Sequence, residues 1–370
     1  MDRSSIIFPT KAKSYLAAIF LRCVFAGLFT IAKRALNLGM NPDTFTVYRN
    51  AIAAIVFGPL ALVFERNTRP RMRLTILCNI FLLGLFGVLD QNLYYAGMKH
   101  TTATFATAIY NFLPVINFLL AFLLRLEKVK FRSLHGQAKV FGTLVSAGGI
   151  MVMTFIKGPV IGLPWTKHNP TSAANYPQTS VRGPLMILGA CFFSASFNIL
   201  QAKTLESYPA LLSVTAMICA AMGVEGFIAS VVLEKGINFA VWSIHWDIKL
   251  LAYVYGGILC SGLGYYISGY ILQEKGPVFL TSFNPLTMLI VAGMSSFIFA
   301  EQLDLGKVVG GFVIVVGLYL VLWGKTKDSS SSMGLTEEKP SIHQQIYALD
   351  SPTMKALSRD GSQATTAEIV

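Results

Sequence analysis

Residues 74–98 read LTILCNIFLLGLFGVLDQNLYYAGM, and this stretch decides the class of fold. It holds one charged residue, Asp90, in a length sufficient for a helix to cross the hydrocarbon core of a bilayer, which takes about 20 mostly apolar residues. A strand of a membrane β-barrel would instead alternate apolar and polar residues over about ten positions. The stretch therefore predicts a membrane-spanning helix.

The composition of the whole chain extends this prediction to a polytopic membrane protein. Of its 370 residues, 54% are hydrophobic and 13% are charged, whereas soluble domains carry roughly 25% charged residues. The net charge of +12 comes from basic residues in short connections between apolar runs. Nucleic-acid binding would need a basic stripe interleaved with aromatic residues. We therefore predict the lipid bilayer as a partner and no nucleic acid.

Ten segments have the length and hydropathy of membrane spans, which predicts an all-α polytopic fold. They are 14–33, 44–63, 74–98, 101–124, 137–156, 184–203, 209–233, 249–272, 278–299 and 306–324. Lys and Arg number 16 at the ends on the N-terminal side of the membrane and 9 at the opposite ends. Because positively charged loops remain cytoplasmic, both termini are predicted to be cytoplasmic.

A weak internal repeat relates the two halves of the chain. Phe105-Ala106-Thr107 matches Phe279-Leu280-Thr281 at an offset of 174, and Ala32-Lys33 corresponds to Ala202-Lys203 at an offset of 170. An odd number of spans in each half makes the two copies face opposite ways. We therefore predict two inverted five-helix repeats, an arrangement in which transporters place a site at the midplane.

These patterns divide the chain into five parts. The predicted parts are a cytoplasmic N-terminus at 1–13, a first repeat at 14–156, an external loop at 157–183, a second repeat at 184–324 and a disordered cytoplasmic tail at 325–370.

Four ionisable side chains lie at membrane depth, where each costs at least about 2.5 kcal/mol and needs a partner or a function. Arg49 and Asp90 share a depth, which favours an ion pair, although Asp90 also suits a coupling or cation-binding role. Glu225 fits a proton site and a hydrogen bond to a neighbouring helix equally well. Arg22 suits two-point recognition of a solute carboxylate; its alternatives are pairing with Asp90 or Glu225 and reaching for the membrane interface.

Neutral polar residues near the middle of several spans predict a midplane cavity. Tyr110 and Asn111 precede Pro114, and Asn284 adjoins Pro285. Asparagine or proline in the middle of a helix leaves backbone groups without intrahelical hydrogen bonds, and within a membrane only protein or a water-filled cavity can supply the missing partners. For each residue an interhelical hydrogen bond is the alternative. The predicted solute-binding residues are Arg22, Gln91, Tyr110, Asn111, Asn198, Tyr266 and Asn284.

Motifs for catalysis or for ATP-driven transport are missing from the sequence. All five histidines lie outside the predicted spans or at their edges, and no zinc-protease motif or Walker A loop is present. We predict no enzyme activity, no metal and no cofactor, and the remaining alternatives to a transporter are a channel or a receptor.

An ordered set of short fragments resembles the plant nodulin-21-like transporters with EamA domains, also called the UMAMIT or Walls-Are-Thin-related family, in the drug/metabolite transporter superfamily. The fragments include Leu38-Gly39-Met40, Val47-Tyr48-Arg49, Phe64-Glu65-Arg66, Asp90-Gln91-Asn92, Lys157-Gly158-Pro159-Val160, Gly276-Pro277-Val278-Phe279, Asn284-Pro285-Leu286 and Ala300-Glu301-Gln302-Leu303. One departure is Arg22, because family members usually carry Gln there.

The resemblance implies a ten-helix carrier of amino acids or auxin-like acids, mostly at the plasma membrane and sometimes at the tonoplast. We predict a bidirectional amino-acid facilitator or exporter that works by alternating access around the midplane cavity. The alternative is a proton-coupled carrier of auxin or another organic acid. The expected partner is a small-molecule solute, and homo-oligomerisation is left open.

Overall fold

The computed structural model describes residues 10–67, 69–124, 134–155, 160–161, 182–233, 242–244, 246–299, 303–306, 308–317 and 319–320. The predicted tail at 325–370, residues 1–9 of the N-terminus and most of the predicted loop at 157–183 lie outside the described residues.

The described residues form α-helices, one π-helical segment and two strands of two residues each. The α-helices are α1 (Thr10–Asn37), α2 (Pro42–Phe64), α3 (Leu74–Lys99), α4 (Ala103–Tyr110), α5 (Leu113–Leu123), α6 (Leu134–Phe155), α7 (Arg182–Ser207), α8 (Leu211–Leu233), α9 (Ile248–Tyr255), α10 (Gly264–Lys275), α11 (Pro277–Ser282), α12 (Asn284–Phe299) and α13 (Val308–Gly317). The π-helix runs over Gly256–Leu263, between α9 and α10. Strands β1 (Val160–Ile161) and β2 (Leu303–Asp304) pair antiparallel and are the only departure from an all-α fold among these residues.

Seven helices or continuous helix groups are long and apolar enough to cross a membrane. The α4–α5 pair, α6 and α13 complete the predicted ten spans, so the ten-helix membrane fold is confirmed.

Two spans that the sequence predicts as continuous are broken near their middle. The span at 101–124 divides into α4 and α5 at Asn111 and Phe112, just before Pro114. The span at 278–299 divides into α11 and α12 at Phe283, just before Pro285. Proline lacks the backbone N–H that a continuous helix needs. Helices α4 and α11 begin 174 residues apart, which is the offset of the sequence repeat.

Contacts at the helix ends show that equivalent helices run in opposite directions. The N-terminal part of α1 contacts the end of α10, where Ser14 Oγ donates to Glu274 Oε2 at 2.5 Å. The beginning of α7 instead contacts the end of α3, where Gly183 and Gly97 bring the two backbones together. We call the end of the bundle where α1 and α3 finish the Lys33 end, and the end where α2 finishes and α8 begins the Arg66 end.

The π-helical segment packs closely on α2. A Cβ atom added at Gly257 would lie 2.8 Å from the carbonyl oxygen of Arg49 and 2.9 Å from Cβ of Ile52. Because the first of these is a backbone atom, no side-chain rotation can relieve the overlap. The close approach holds the second half of the chain against α2.

We expect Gly257→Ala to destabilise the fold by about 1–3 kcal/mol, the usual cost of overpacking a well-packed site. Thermal unfolding of the purified protein in detergent measures this effect. Gly58→Ala is the matched control, because no atom lies within 4 Å of a Cβ there. Equal unfolding temperatures for the two variants would contradict the close packing of the π segment on α2.

Candidate solute-binding cavity

A cavity with about 920 Å³ of empty space, part of it open to solvent, lies between the two halves of the bundle. Its walls come from α1, α2, α3, α4 and α5 of the first half and from α7, α10, α11 and α12 of the second. The centre of a water molecule can reach about 110 Å³ of this space. One water needs about 10–15 Å³ on this measure, so the cavity has room for a small organic solute.

Most of the predicted solute-binding residues lie in this wall. Arg22, Gln91, Tyr110, Asn111, Asn198 and Asn284 all line the cavity. Tyr266 does not, and its neighbour Tyr265 takes that place in the wall. The π-helical segment that precedes α10 changes the angular register of the chain, so extrapolating a regular helix does not identify which tyrosine faces inward.

The Arg22 side chain is buried and anchored to the broken span of the second half. Its Nη2 donates to the carbonyl oxygen of Leu280 at 2.6 Å, near the end of α11. Its Nε, both amide atoms of Asn284 and the hydroxyl of Thr287 have no hydrogen-bond partner among the described residues. Buried polar groups without partners carry a desolvation cost of about 1–3 kcal/mol each. A solute carboxylate could accept hydrogen bonds from several of these donors.

A carboxylate lines the same cavity on α3. The Tyr110 hydroxyl donates to the two Asp90 oxygens at 3.1 Å and 3.3 Å and lies 2.7 Å from Ser194 Oγ. This arrangement joins α3, α4 and α7 at the cavity wall. A solute ammonium could bind here through an ion pair and a hydroxyl contact.

The predicted ion pair between Arg49 and Asp90 is not found among the described residues. Arg49 donates instead to Ser261 Oγ at 2.7 Å and to the Tyr95 hydroxyl at 3.0 Å. The two residues share a depth but face different neighbours. Asp90 therefore lines the cavity as a carboxylate whose hydrogen-bond partners are neutral hydroxyls.

A hydrogen-bonded chain connects Arg49 to the centre of the cavity. Ser261 Oγ donates to Asn50 Oδ1 at 3.0 Å, and Asn50 Nδ2 donates to Gln91 Oε1 at 3.0 Å. Gln91 Nε2 then donates to the Tyr265 hydroxyl at 2.6 Å. Gln91 and Tyr265 are 174 residues apart, so equivalent positions of the two repeats contact each other at the cavity wall.

Glu225 lies outside the cavity wall, between α8 and α3. A Cβ atom added at Gly84 would lie 2.7 Å and 2.8 Å from its two carboxylate oxygens. Both oxygens are buried and have no hydrogen-bond partner among the described residues. The structure therefore separates Glu225 from Asp90, which the sequence had grouped as possible coupling residues.

Several residues of the wall were missed at the sequence level. They follow helical spacing from predicted residues: Phe25 and Phe29 lie on the Arg22 face of α1, and Ser194 and Gln201 lie on the Asn198 face of α7. Counting three and four positions along each helix from its predicted polar residue would have found them. The described residues contain no group of three or more His, Cys, Asp or Glu side chains that could hold a metal ion.

An inverted ten-helix bundle with a polar cavity between its repeats is the architecture of a membrane solute transporter. Comparison with known proteins agrees, because residues 12–155 and 181–323 match the EamA-like transporter family. The chain belongs to this family.

Its relatives include WAT1-related proteins of Arabidopsis thaliana. WAT1-related protein At2g37460 is 46% identical over 368 residues, covering 96% of each chain. WAT1-related protein At2g39510 is 46% identical over 357 residues, covering 95% of each. A solved structure titled "Crystal structure of protein" shares the fold, with a TM-score of 0.59 and 17% identity over 84% of this chain and 98% of that one.

Proposed function

We propose that the protein is a bidirectional amino-acid facilitator or exporter that works by alternating access around the central cavity. The observation that carries this proposal is the presence of Arg22 and Asp90 in one cavity wall without an ion pair between them among the described residues. A zwitterion presents a carboxylate and an ammonium, and each group would find an opposite charge there. Charge-assisted hydrogen bonds of this kind are roughly twice as strong as neutral ones.

In this proposal the two charged groups of the solute bind to different residues of the cavity wall. Arg22 and Asn284 hold the carboxylate, while Asp90 and Tyr110 hold the ammonium. The side chain of the solute lies against aromatic rings of the wall. These rings are Phe25, Phe29, Tyr94, Phe197 and Tyr265.

A second candidate is a proton-coupled carrier of auxin or another organic acid. The aromatic wall favours it, because a flat aromatic acid would pack against these rings while Arg22 binds its carboxylate. In that case Asp90 or Glu225 would change protonation during the cycle.

Flux through the purified protein in liposomes distinguishes the two candidates. Labelled amino acids and labelled auxin are supplied with and without an imposed pH gradient. Saturable amino-acid flux that is independent of the pH gradient supports the facilitator. Auxin flux driven by the gradient supports the second candidate. Absence of flux for both solutes rejects amino acids and auxin as solutes and makes other organic acids the next solutes to test.

We expect Glu225→Gln to leave the rate of amino-acid flux and its independence of external pH unchanged. Glutamine keeps the shape of the side chain beside Gly84 and removes only the titratable proton. Initial rates measured across a range of external pH test this expectation. A pH-dependent wild type whose dependence disappears in Glu225→Gln would instead support proton coupling.

We further propose a plasma-membrane location with both termini in the cytoplasm, on the basis of the charge distribution and the family resemblance. Under this orientation the Lys33 end is external and the Arg66 end is cytoplasmic. Protease protection of tags placed at the two termini tests the orientation, and tonoplast labelling would contradict the plasma-membrane assignment.

A further inference from the structure

Lys33 is a buried cation outside the solute cavity. Its side chain is 3% exposed, on the last turns of α1. The ammonium donates to the carbonyl oxygens of Met98 at 2.8 Å and Thr101 at 2.5 Å. Carbonyls at the end of a helix lack intrahelical donors and carry a partial negative charge, so a cation is stabilised there. The contact therefore joins α1 to the end of α3.

This contact also constrains the first half of a broken span. Thr101 lies in the short connection between α3 and α4. Helix α4 carries Thr107 and Tyr110 into the cavity wall. A movement of α1 away from this connection would therefore alter the wall of the cavity at the Lys33 end.

The two ends of the bundle are closed differently. At the Lys33 end a single buried apolar cluster includes residues of α1, α3, α4, α7 and α12. The Tyr94 ring contacts Phe29 in a tilted arrangement and Tyr110 edge-to-face, with centroids 4.9 Å apart in each pair. At the Arg66 end the described residues form three smaller clusters, one of α3, α7 and α8, one of α1, α10 and α11, and one of α2 and α8. One continuous cluster thus closes the Lys33 end, whereas the apolar packing at the Arg66 end is divided.

The Arg66 end has no equivalent cation among the described residues. The carbonyl oxygen of Leu205 accepts a neutral hydrogen bond from Gln273 Nε2 at 3.4 Å. Lys203, the partner of Lys33 in the sequence repeat, is exposed. The repeats therefore differ at this point.

We propose that Lys33 is a gating residue that holds the Lys33 end closed and so favours the state in which the cavity communicates with the Arg66 end. This inference rests on the alternating-access cycle proposed above. Opening the Lys33 end separates α1 from the α3–α4 connection and breaks both hydrogen bonds. The ammonium lies near the membrane surface, where water can replace the lost carbonyls. The contact of Lys33 with the carbonyl oxygens of Met98 and Thr101, which we call the latch, can therefore break and form again.

Hydrogen–deuterium exchange of the full chain in lipid nanodiscs tests the latch without any solute. Lys33→Met keeps the length of the side chain and removes its charge and donors. We expect amides in 98–106 to exchange about tenfold faster, as the loss of a hydrogen bond to a charged group implies. Amides in 200–207 and 271–276, at the Arg66 end, should exchange more slowly, because opening one end closes the other.

Two further variants separate gating from folding. Lys33→Arg retains charge and donors and should exchange like the wild type. Lys99→Met removes an exposed lysine at the same end and should change nothing. Unchanged exchange in Lys33→Met, or faster exchange at both ends, would overturn the proposal. Lys33→Met could show faster exchange at the Lys33 end and slower exchange at the Arg66 end while the protein transports no amino acid. That result would retain the gating role of Lys33 and reject only the proposed solute.

Discussion

Replacing Arg22 by glutamine is expected to raise the half-saturation concentration for amino acids by about 10- to 100-fold, because a hydrogen bond to a charged group contributes about 1.5–3 kcal/mol. Glutamine keeps a polar amide at this position of α1, but it is two bonds shorter than arginine and loses the positive charge that is proposed to bind the solute carboxylate. Initial rates of uptake into liposomes over a range of solute concentrations measure the change.

The choice of solute makes this test specific. An amine that lacks the carboxylate should bind the Arg22→Gln variant and the wild type equally well, whereas an unaltered amino-acid affinity would be incompatible with a carboxylate site at Arg22. Arg34→Gln is the matched control, since Arg34 is an exposed arginine on the same helix. Its transport should equal that of the wild type.

The second large effect is expected at Asp90. Asparagine preserves the size of the side chain and an acceptor for the Tyr110 hydroxyl, but it removes the charge that pairs with a solute ammonium. We expect amino-acid uptake by Asp90→Asn to show a half-saturation concentration about 10- to 100-fold higher. Competition by increasing amounts of unlabelled alanine and propionate gives the affinities for a zwitterion and for an acid that has no amine.

The two competitors should respond differently to Asp90→Asn. Alanine should lose affinity while propionate keeps its own, because only alanine carries an ammonium. An equal loss for both would show that Asp90 supports the fold and not the solute. Asp247→Asn is the control, since Asp247 is an exposed residue that caps α9 and asparagine caps helices equally well.

The sequence predicted the fold well because its signals are local. Apolar length predicts each span, and the odd number of spans in each half predicts inversion. The breaks at Asn111 and Phe283 were indicated only by the prolines that follow them. The π-helical segment has no comparable signal, because backbone hydrogen bonding, not residue type, distinguishes it from an α-helix.

The sequence predicted the depth at which the cavity residues lie in the membrane, but not the direction in which each side chain points. Counting residues along a helix placed Arg49, Asp90 and Glu225 near one level, which suggested an ion pair between Arg49 and Asp90. Which face of a helix points inward depends on its rotation against its neighbours. Packing turns Arg49 toward Ser261 and Tyr95, Glu225 toward Gly84 and Asp90 toward Tyr110. Arg49 and Asp90 therefore both line the cavity, whereas Glu225 does not.

The contact between Gln91 and Tyr265 has a consequence for how the molecule moves. The two residues occupy equivalent positions of the repeats, so an exchange of conformations between the halves maps the pair onto itself. Their separation should then be the same at the beginning and at the end of the cycle, while both ends of the bundle rearrange. The distance between Gln91 and Tyr265, measured in the two end states, therefore tests the proposed alternating-access cycle.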